Sequence, residues 1–211
     1  MQTSHPTVLL FLKAPRPGFV KTRLAVDLGN EHACEIFKTL ASQTLATIPA
    51  DWPVRIFFTP SDALIEMKNW LGEDRPFFEQ SEGDLGQRLE SATRETFANG
   101  ASSVILLGGD CPSITLNHLQ EAAKQLNNNT PVIGPASDGG YWLLGLPQHS
   151  PTIFEDIAWS SDSVFTSTLN RLETFDVTPH QLEILEDIDD LAAWKRALTI
   201  HPNLKTTSPS K

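Results

Sequence analysis

The sequence predicts an α/β protein with a mostly parallel central sheet. Apolar runs at 7–13, 54–58 and 104–108 do not alternate with polar residues, which is typical of strands covered on both faces. Segments of helical period lie between these runs, and the apolar residues from Phe37 to Ile48 form one helical stripe. Strands and helices that alternate in this way build a sheet with helices on both sides, and such sheets bind ligands at the carboxyl ends of their strands.

The remaining segments extend the same pattern. Apolar stripes at 85–92 and 116–126 predict two more helices. We also expect helices near 61–71, 162–173 and 189–198, and strands near 76–79, 131–135, 141–146 and 182–186. No Pro/Gly/Ser-rich linker divides the 211 residues, so we expect residues 1–200 to form a single domain and residues 201–211 to form a flexible C-terminal tail.

Composition limits the partners. The formal net charge of −10 argues against nucleic acid, which requires a basic surface, and against anionic membranes. Cys34 and Cys111 have neither metal-ligand nor disulfide spacing, which fits a reducing cytoplasm. The apolar run at 8–12 is too short for a signal peptide or a membrane span.

Four cations lie in the loop after the first predicted strand, KAPRPGFVKTRL at 13–24, and this stretch contains no acid. Pro15 and Pro17 stiffen the loop, and Gly18 permits a turn or a close backbone approach. The cations can hold a polyphosphate in a fixed place, although a solvated loop with incidental charge would have the same composition. They are Lys13, Arg16, Lys21 and Arg23.

Asp110 follows the strand predicted at 104–108, in the stretch LLGGDCPSI. Gly108 and Gly109 leave space for a ligand beside it, and a carboxylate is a hard ligand that suits Mg²⁺ or Mn²⁺. The alternative is that Asp110 caps a turn, which aspartate often does.

A second acidic cluster, EDIDD, lies at 186–190. Asp187 and Asp189 alternate around Ile188, which in an extended segment places both carboxylates on one side. A helix is expected directly afterwards, so the alternative role of Asp189 or Asp190 is that of its N-cap.

Two further loops carry polar residues between predicted elements. In GPASDGGY, Asp138 with Gly139 and Gly140 either forms a simple hairpin turn or brings a carboxylate into the site, where it would orient or deprotonate an acceptor.

In QSEGDLGQRL at 80–89, Asp84 either caps a helix or helps to receive an anion or a nucleobase edge. The other candidates in this second loop are Gln80, Gly83 and Arg88. The Trp-Ser pair of AWSSDSVF is expected to begin a helix and carries no assigned chemistry.

The loop at 13–24 resembles the signature of the radical-SAM/selenodomain-associated transferases, often annotated simply as glycosyltransferases, and the resemblance runs from Val8 to about Leu198. That family is similar to the nucleotide-diphospho-sugar transferases, which include molybdenum-cofactor and 2-phospho-L-lactate guanylyltransferases. The resemblance implies a three-layer α/β/α, Rossmann-like fold of glycosyltransferase A type, with a first loop that wraps the phosphates of a nucleotide. Related sequences commonly carry Thr at the position of Asp190 and an acid near Ala193, so this chain departs from them at the predicted cap.

The resemblance also implies a set of site residues. Asp110, Asp187 and Asp189 would hold Mg²⁺ or Mn²⁺, and Asp138 is the candidate catalytic residue. The expected substrate contacts are Lys13, Arg16, Gly18, Lys21, Arg23, Gln80, Gly83, Asp84, Arg88, Gly109, Gly139 and Gly140.

The function expected from these features is that of a metal-dependent, glycosyltransferase-like enzyme with a nucleoside-diphosphate-sugar donor and a small-molecule acceptor. One alternative is a nucleotidyltransferase that joins a nucleoside triphosphate to a phosphorylated small molecule. The other is a protein that binds a nucleotide without turning it over. The sequence leaves the nucleobase, the acceptor and the oligomeric state open.

Overall fold

The computed structural model describes residues 5–173 and 178–204, which form a seven-stranded sheet between helices. The strands are β1 (Thr7–Lys13), β2 (Val54–Thr59), β3 (Phe77–Glu79), β4 (Val104–Leu107), β5 (Val132–Pro135), β6 (Tyr141–Leu146) and β7 (His180–Gln181). The α-helices of the described residues are α1 (Thr22–Leu28), α2 (Asn30–Thr47), α3 (Leu64–Leu71), α4 (Leu85–Ala98), α5 (Leu116–Asn127), α6 (Val164–Glu173) and α7 (Leu191–Ile200).

The strand order is β3-β2-β1-β4-β6-β5-β7, and only β6 runs against its neighbours. β1 pairs in parallel with β2 and β4, and β5 pairs in parallel with β7. The chain segments that follow β1, β4, β5 and β7 therefore leave the sheet at the same edge. This topology confirms the predicted α/β class and its mostly parallel sheet.

Both faces of the sheet are covered, which explains the unbroken apolar runs. Leu10 of β1 packs in a core cluster with Phe37 of α2 and Met67 of α3. Leu9, its neighbour in sequence, packs on the opposite face with Leu89 of α4. A third cluster joins α1, α2 and α7. The three-layer arrangement follows from this alternation.

The predicted strand near 182–186 is wrong. The strand at this edge is His180–Gln181. Beyond it the chain contacts β5 through separate hydrogen bonds, from the Leu182 N–H to Ile133 O and from the Leu185 N–H to Pro135 O, and through an isolated bridge between Leu185 and Ala136. β5 is irregular at Gly134 and Pro135, so the segment beside it pairs intermittently.

The ends of several elements also differ from expectation. Leu85 and Leu116 are 42% and 45% exposed, because each is the first residue of its helix and lies beyond the buried stripe. Pro202–Leu204 forms a 3-10 turn whose Leu204 is buried, so ordered structure enters the expected tail, and 205–211 lies outside the described residues. None of the described helices combines the length and the apolar composition that crossing a membrane requires.

Candidate active site

Lys21 has an unusual backbone conformation and a buried ammonium group. Its φ of 46° and ψ of 45° lie in the left-handed region, which costs a non-glycine residue about 1 kcal/mol or more. Its side chain is only 6% exposed, and its Nζ donates hydrogen bonds to Asp110 Oδ2 at 2.9 Å and Asp189 Oδ1 at 3.1 Å. Burial alone would lower the pKa of Lys21, but the two carboxylates raise it overall. The lysine is therefore a fixed positive charge at the carboxyl edge of the sheet.

The structure brings the predicted carboxylates together from distant parts of the chain. Asp110 follows β4, whereas Asp187 and Asp189 precede α7. The Ile188 N–H donates to the Asp110 carbonyl oxygen at 3.0 Å, which ties the two segments to each other. Asp190 caps α7 by accepting a hydrogen bond from the Ala193 N–H at 2.8 Å, so the capping role belongs to Asp190 and leaves Asp189 free to face Lys21.

Asp187 is the most perturbed of these acids. Its Oδ1 is buried and has no hydrogen-bond partner among the described residues. Burial, followed by the charge of Asp110, raises the pKa of Asp187 to about 8, and the charges of Asp138 and Asp189 act in the same direction. Burial and then the Asp187 charge also raise the pKa of the neighbouring Cys111 thiol. This corner of the molecule holds more negative charge than Lys21 neutralises.

The described residues contain no preassembled set of three or more Asp, Glu, His or Cys side chains placed to hold a metal ion. The three predicted ligands are close neighbours, but the Lys21 ammonium lies between Asp110 and Asp189. The arrangement of the described residues therefore does not by itself assign a metal ion to these carboxylates.

Arg16 is turned away from these acids and attached to α3. Its Nη2 lies 2.6 Å from Glu66 Oε1 and 3.0 Å from Asp62 Oδ1, and its Nε donates to Glu66 Oε2 at 3.0 Å. The hydrogen bond from Arg16 lowers the pKa of Glu66. These contacts fasten the middle of the first loop to its neighbouring helix.

A first cavity of about 320 Å³ opens beside Lys21 at the carboxyl ends of β1 and β4. Lys13 and Arg23 line it, and Arg23 Nη1 lies 3.6 Å from Asp189 Oδ2 while its side chain is 71% exposed. Its lining also includes the aromatic residues Phe11, Phe19 and Phe37, with Gly108, Gly109, Asp110 and Asp189. The cavity thus combines cations, aromatic rings and carboxylates.

A second cavity of about 500 Å³ shares Arg23 and Asp189 with the first. Asp138, Gly140, Tyr141, Trp159, Ser160 and Asp162 are among the residues that line it. The two cavities therefore adjoin at the carboxylate cluster.

The turn between β5 and β6 delivers Asp138 to the second cavity. Asp138 Oδ1 accepts a hydrogen bond from the Gly140 N–H at 2.9 Å, and Gly139 has a φ of 91°. A Cβ on Gly139 would lie 2.1 Å from the Asp162 carbonyl oxygen, so a glycine is required for the approach of that segment. The segment is a hairpin turn, as the DG pair predicts, and its aspartate also faces the cavity.

Residues 41–161 match a family model described as an uncharacterized protein conserved in bacteria (DUF2064). This chain belongs to the DUF2064 family. The match includes Asp110, Asp138 and Trp159, whereas Lys21 and the 187–189 segment lie outside it. No curated protein matches the chain.

Two of the three solved structures compared next are described as transferases. A candidate nucleotide-diphospho-sugar transferase from Desulfovibrio desulfuricans G20 is 30% identical to the DUF2064 chain, with a TM-score of 0.87 over 97% of this chain and 90% of that one. A nucleotidyl transferase from Methanothermobacter thermautotroptrophicus is 15% identical, with a TM-score of 0.57 over 94% and 97% of the two chains. Rv0371C of Mycobacterium tuberculosis H37Rv, solved as a manganese complex, is 14% identical, with a TM-score of 0.50 over 92% and 98%. These likenesses agree with the transferase part of the resemblance and do not bear on a radical-SAM or selenodomain association.

The GDLGQR motif of the DUF2064 chain builds a helix start. Asp84 caps α4, because its Oδ1 accepts from the Gln87 N–H at 2.9 Å and Gln87 Oε1 accepts from the Asp84 N–H at 3.0 Å. A Cβ on Gly83 would lie 2.1 Å from Gln87 Oε1, and one on Gly86 would lie 2.4 Å from Trp159 Nε1. The glycines therefore make room for protein side chains, and Gly86 seats the indole that lines the second cavity.

Other expected contact residues have structural partners. Gln80 Nε2 donates to the carbonyl oxygens of Leu12 at 3.3 Å and Phe57 at 3.0 Å, and Arg88 Nε donates to Gly83 O at 2.9 Å. Neither Gln80 nor Arg88 belongs to the lining of the first or the second cavity.

The fold explains why glycine is present at two of the positions that were expected to contact a substrate. A Cβ on Gly109 would lie 2.5 Å from Leu12 Cδ2, so the packing of β1 requires that glycine. Gly18 has a φ of 82°, which meets the expected need for a turn.

Sequence reasoning missed Phe19 and Asp162. Phe19 is 72% exposed at the first cavity, an unusual position for a large aromatic residue, and Asp162 reaches the second cavity only through the tight contact at Gly139. An aromatic residue between the loop glycine and Lys21 was a signal that could have found Phe19. Asp162 had no signal in sequence, because its place depends on tertiary packing.

Proposed function

We propose that this DUF2064 chain is a divalent-metal-dependent transferase that uses a nucleoside-diphosphate-linked donor, with a nucleoside-diphosphate sugar as the preferred class. The observation that carries the proposal is Lys21. Its backbone is strained, and its buried ammonium bridges the carboxylates of Asp110 and Asp189. These groups lie at the carboxyl edge of the sheet, where α/β proteins with parallel strands bind ligands. A residue in this conformation is typical of a functional site.

The acids have the chemistry that a divalent ion requires. Asp110, Asp187 and Asp189 are hard oxygen ligands, and the unpartnered Asp187 Oδ1 is a buried acceptor that a cation would satisfy. A manganese-bound neighbour of the same fold makes Mn²⁺ a reasonable first choice. When bound, the ion supplies positive charge that stabilises a departing nucleoside diphosphate.

The first cavity is the proposed donor site. Lys13, Lys21 and Arg23 would face the phosphates, while Phe11 and Phe19 offer aromatic surface to a nucleobase. Arg16 pairs with Glu66 and Asp62 and is absent from the lining of this cavity, so three of the four loop cations line it. This smaller number favours a diphosphate-linked donor over a nucleoside triphosphate.

Asp138 is the proposed residue for acceptor activation. It lines the second cavity, which adjoins the first at Asp189, and its Oδ1 is oriented by the Gly140 N–H. A carboxylate in this position can accept the proton of an attacking hydroxyl or hold that hydroxyl in place.

The proposal is tested by binding followed by product analysis. Nucleotides and nucleotide sugars are screened by thermal shift with and without Mn²⁺, and the best donor is then incubated with the protein to identify the released product. We expect free nucleoside diphosphate. Asp110→Asn should reduce turnover by at least about a hundredfold in a protein that still folds, because it removes a charge that acts in the transition state.

A matched control and two outcomes complete the test. Asp74→Asn removes the charge of an exposed acid that lines neither cavity and should leave turnover unchanged. Release of pyrophosphate from a nucleoside triphosphate would assign nucleotidyl transfer instead. Full activity of Asp110→Asn with Mn²⁺ would contradict the metal assignment.

A further inference from the structure

The charges around the second cavity are unbalanced. Asp138, Asp162 and Asp189 line it, and Arg23 is the one cation among the described residues of its lining. Arg23 is close to Asp189, at 3.6 Å, and no described cation forms an ion pair with Asp138 or Asp162. These last two carboxylates therefore present uncompensated negative charge to whatever enters the cavity.

Asp138 and Asp162 are held as a pair by the backbone. The missing side chain of Gly139 lets the Asp162 carbonyl approach the turn that carries Asp138, and the Phe165 N–H donates to Gly139 O at 2.8 Å. The segments that carry the two carboxylates are therefore in backbone contact where both border the cavity.

The rest of the lining suits a hydroxylated molecule. Carboxylates only accept hydrogen bonds, so a complementary ligand must supply O–H or N–H donors. Trp159, seated against Gly86, and Tyr141 provide aromatic surface for the apolar face of such a ligand. Ser160, with a left-handed φ of 66°, adds a hydroxyl that has no recorded hydrogen bond among the described residues.

We propose that the second cavity binds an acceptor that carries hydroxyl or amino groups and no phosphate or carboxylate. The inference rests on the proposed function, which makes this cavity the neighbour of the donor site. An acceptor phosphate would meet the two uncompensated carboxylates, and like charges at close range are strongly unfavourable in a partly desolvated cavity.

The contrast with the first cavity supports this assignment. Lys13, Lys21 and Arg23 make the first cavity suitable for an anion, whereas the second has the opposite charge. Arg23 and Asp189 lie where the two cavities adjoin. The donor phosphates and the attacking acceptor group would meet there, each in the environment that matches its charge.

The test compares matched compounds that differ by one phosphate. Binding of glycerol and glycerol 3-phosphate, and of glucose and glucose 6-phosphate, is measured by ligand-observed NMR with the full chain and with Asp162→Lys. We expect the wild type to favour the neutral member of each pair. Asp162→Lys should shift the ratio toward the phosphorylated member by at least about tenfold, because it reverses one charge of the pair.

Matched variants separate the cavity from the rest of the surface. Asp74→Lys makes the same change in net charge at an exposed loop and should leave the ratio unaltered. A phosphorylated compound that binds in the first cavity would not respond to Asp162→Lys. If Asp162→Lys fails to fold, Asp162→Asn removes the charge alone and should shift the ratio in the same direction.

The outcomes distinguish this inference from the proposed function. No change of the binding ratio in the Asp162 variants would overturn the inference, even if a nucleotide binds the first cavity. Absence of nucleotide binding with Mn²⁺ would remove the proposed function, whereas the ratio of the matched pairs still reports on the charge of the second cavity.

Discussion

Lys21 shows how one residue can report a functional site. A left-handed lysine costs about 1 kcal/mol or more, and burying its ammonium costs more. Asp110 and Asp189 offset the second cost by accepting its hydrogen bonds. The sequence could place Lys21 in a cationic loop but could not predict its backbone conformation, because Gly18, rather than a lysine, is the residue expected to adopt a positive φ.

Asp187→Asn is expected to raise the melting temperature of the metal-free protein at pH 9 by about 2 °C or more, and to raise it by a much smaller amount at pH 5. The pKa of Asp187 is raised from 3.8 to about 8, first by burial and then by Asp110. The folded protein therefore binds this proton more tightly than the unfolded chain. The resulting stability is complete below about pH 4 and is lost as the pH rises toward 8.

Asparagine removes that loss because it never ionises. The measurement is a series of thermal melts in EDTA from pH 5 to pH 9, with Asp74→Asn as the control for an exposed acid. Parallel curves for the wild type and Asp187→Asn over the whole range would show that the Asp187 carboxyl titrates normally.

At the scale of elements, the sequence predicted the strands that are buried on both faces. β1, β2 and β4 were visible because both sides of each strand pack in apolar clusters. The edge strand β7 was not, because two residues paired to an irregular neighbour leave no apolar pattern. Gly83, Gly109 and Gly139 were expected to contact a substrate, but the missing Cβ of each makes room for another part of the protein.

Arg16 and Glu66 are expected to act as one unit that positions the first loop. Arg16→Ala and Glu66→Gln should each weaken nucleotide binding by a similar factor, about threefold or more, because either change releases the loop from α3. The double variant should be no weaker than the single ones. Calorimetry measures the nucleotide dissociation constants of the wild type, the two single variants and the double variant, which together form a double-mutant cycle.

The same cycle tests direct phosphate binding by Arg16. In that case Glu66→Gln would leave nucleotide affinity unchanged, or increase it by freeing the guanidinium, while Arg16→Ala alone would weaken binding. Glu73→Gln, an exposed acid beyond the end of α3, serves as the control.

Gly139→Ala is expected to destabilise the protein more than Gly72→Ala. Both glycines have nearly the same positive φ, 91° and 92°, so both substitutions place a Cβ on a backbone whose φ is unfavourable for it. A Cβ on Gly139 would meet the Asp162 carbonyl at 2.1 Å, whereas one on Gly72 meets nothing within 4 Å. The clash should cost roughly a further 1–3 kcal/mol, seen as a lower melting temperature. Equal melting temperatures would mean that the turn and the 162 segment do not pack as described.

At the scale of the whole molecule, topology assembles the site. Lys21, Asp110, Asp138 and the 187–189 segment follow different strands, and they meet because β1, β4, β5 and β7 all end at one edge of the sheet. The alternating pattern predicted that edge. It could not predict that Lys21 would lie between the acids while Arg16 turned away, because side-chain partners depend on distances across the fold.

The binding of Mn²⁺ and of a nucleoside diphosphate is expected to be strongly coupled. Asp110 and Asp189 line the first cavity beside its three cations, so without a metal they cancel part of the attraction of that cavity for a nucleotide. Mn²⁺ bound by the carboxylates would restore that attraction. Coupling free energies are reciprocal, so Mn²⁺ should tighten nucleotide binding by about tenfold or more, and the nucleotide should tighten Mn²⁺ binding by the same factor.

Calorimetric titrations of each ligand with and without the other measure both factors in one buffer. Asp110→Asn should reduce both factors together, whereas Asp74→Asn, at an exposed loop, should leave them unchanged. Nucleotide affinity that is equal with and without Mn²⁺ would mean that the buried acids and the cationic loop serve separate purposes. The cluster around Lys21 would then be a structural support for the sheet edge rather than the centre at which donor and metal meet.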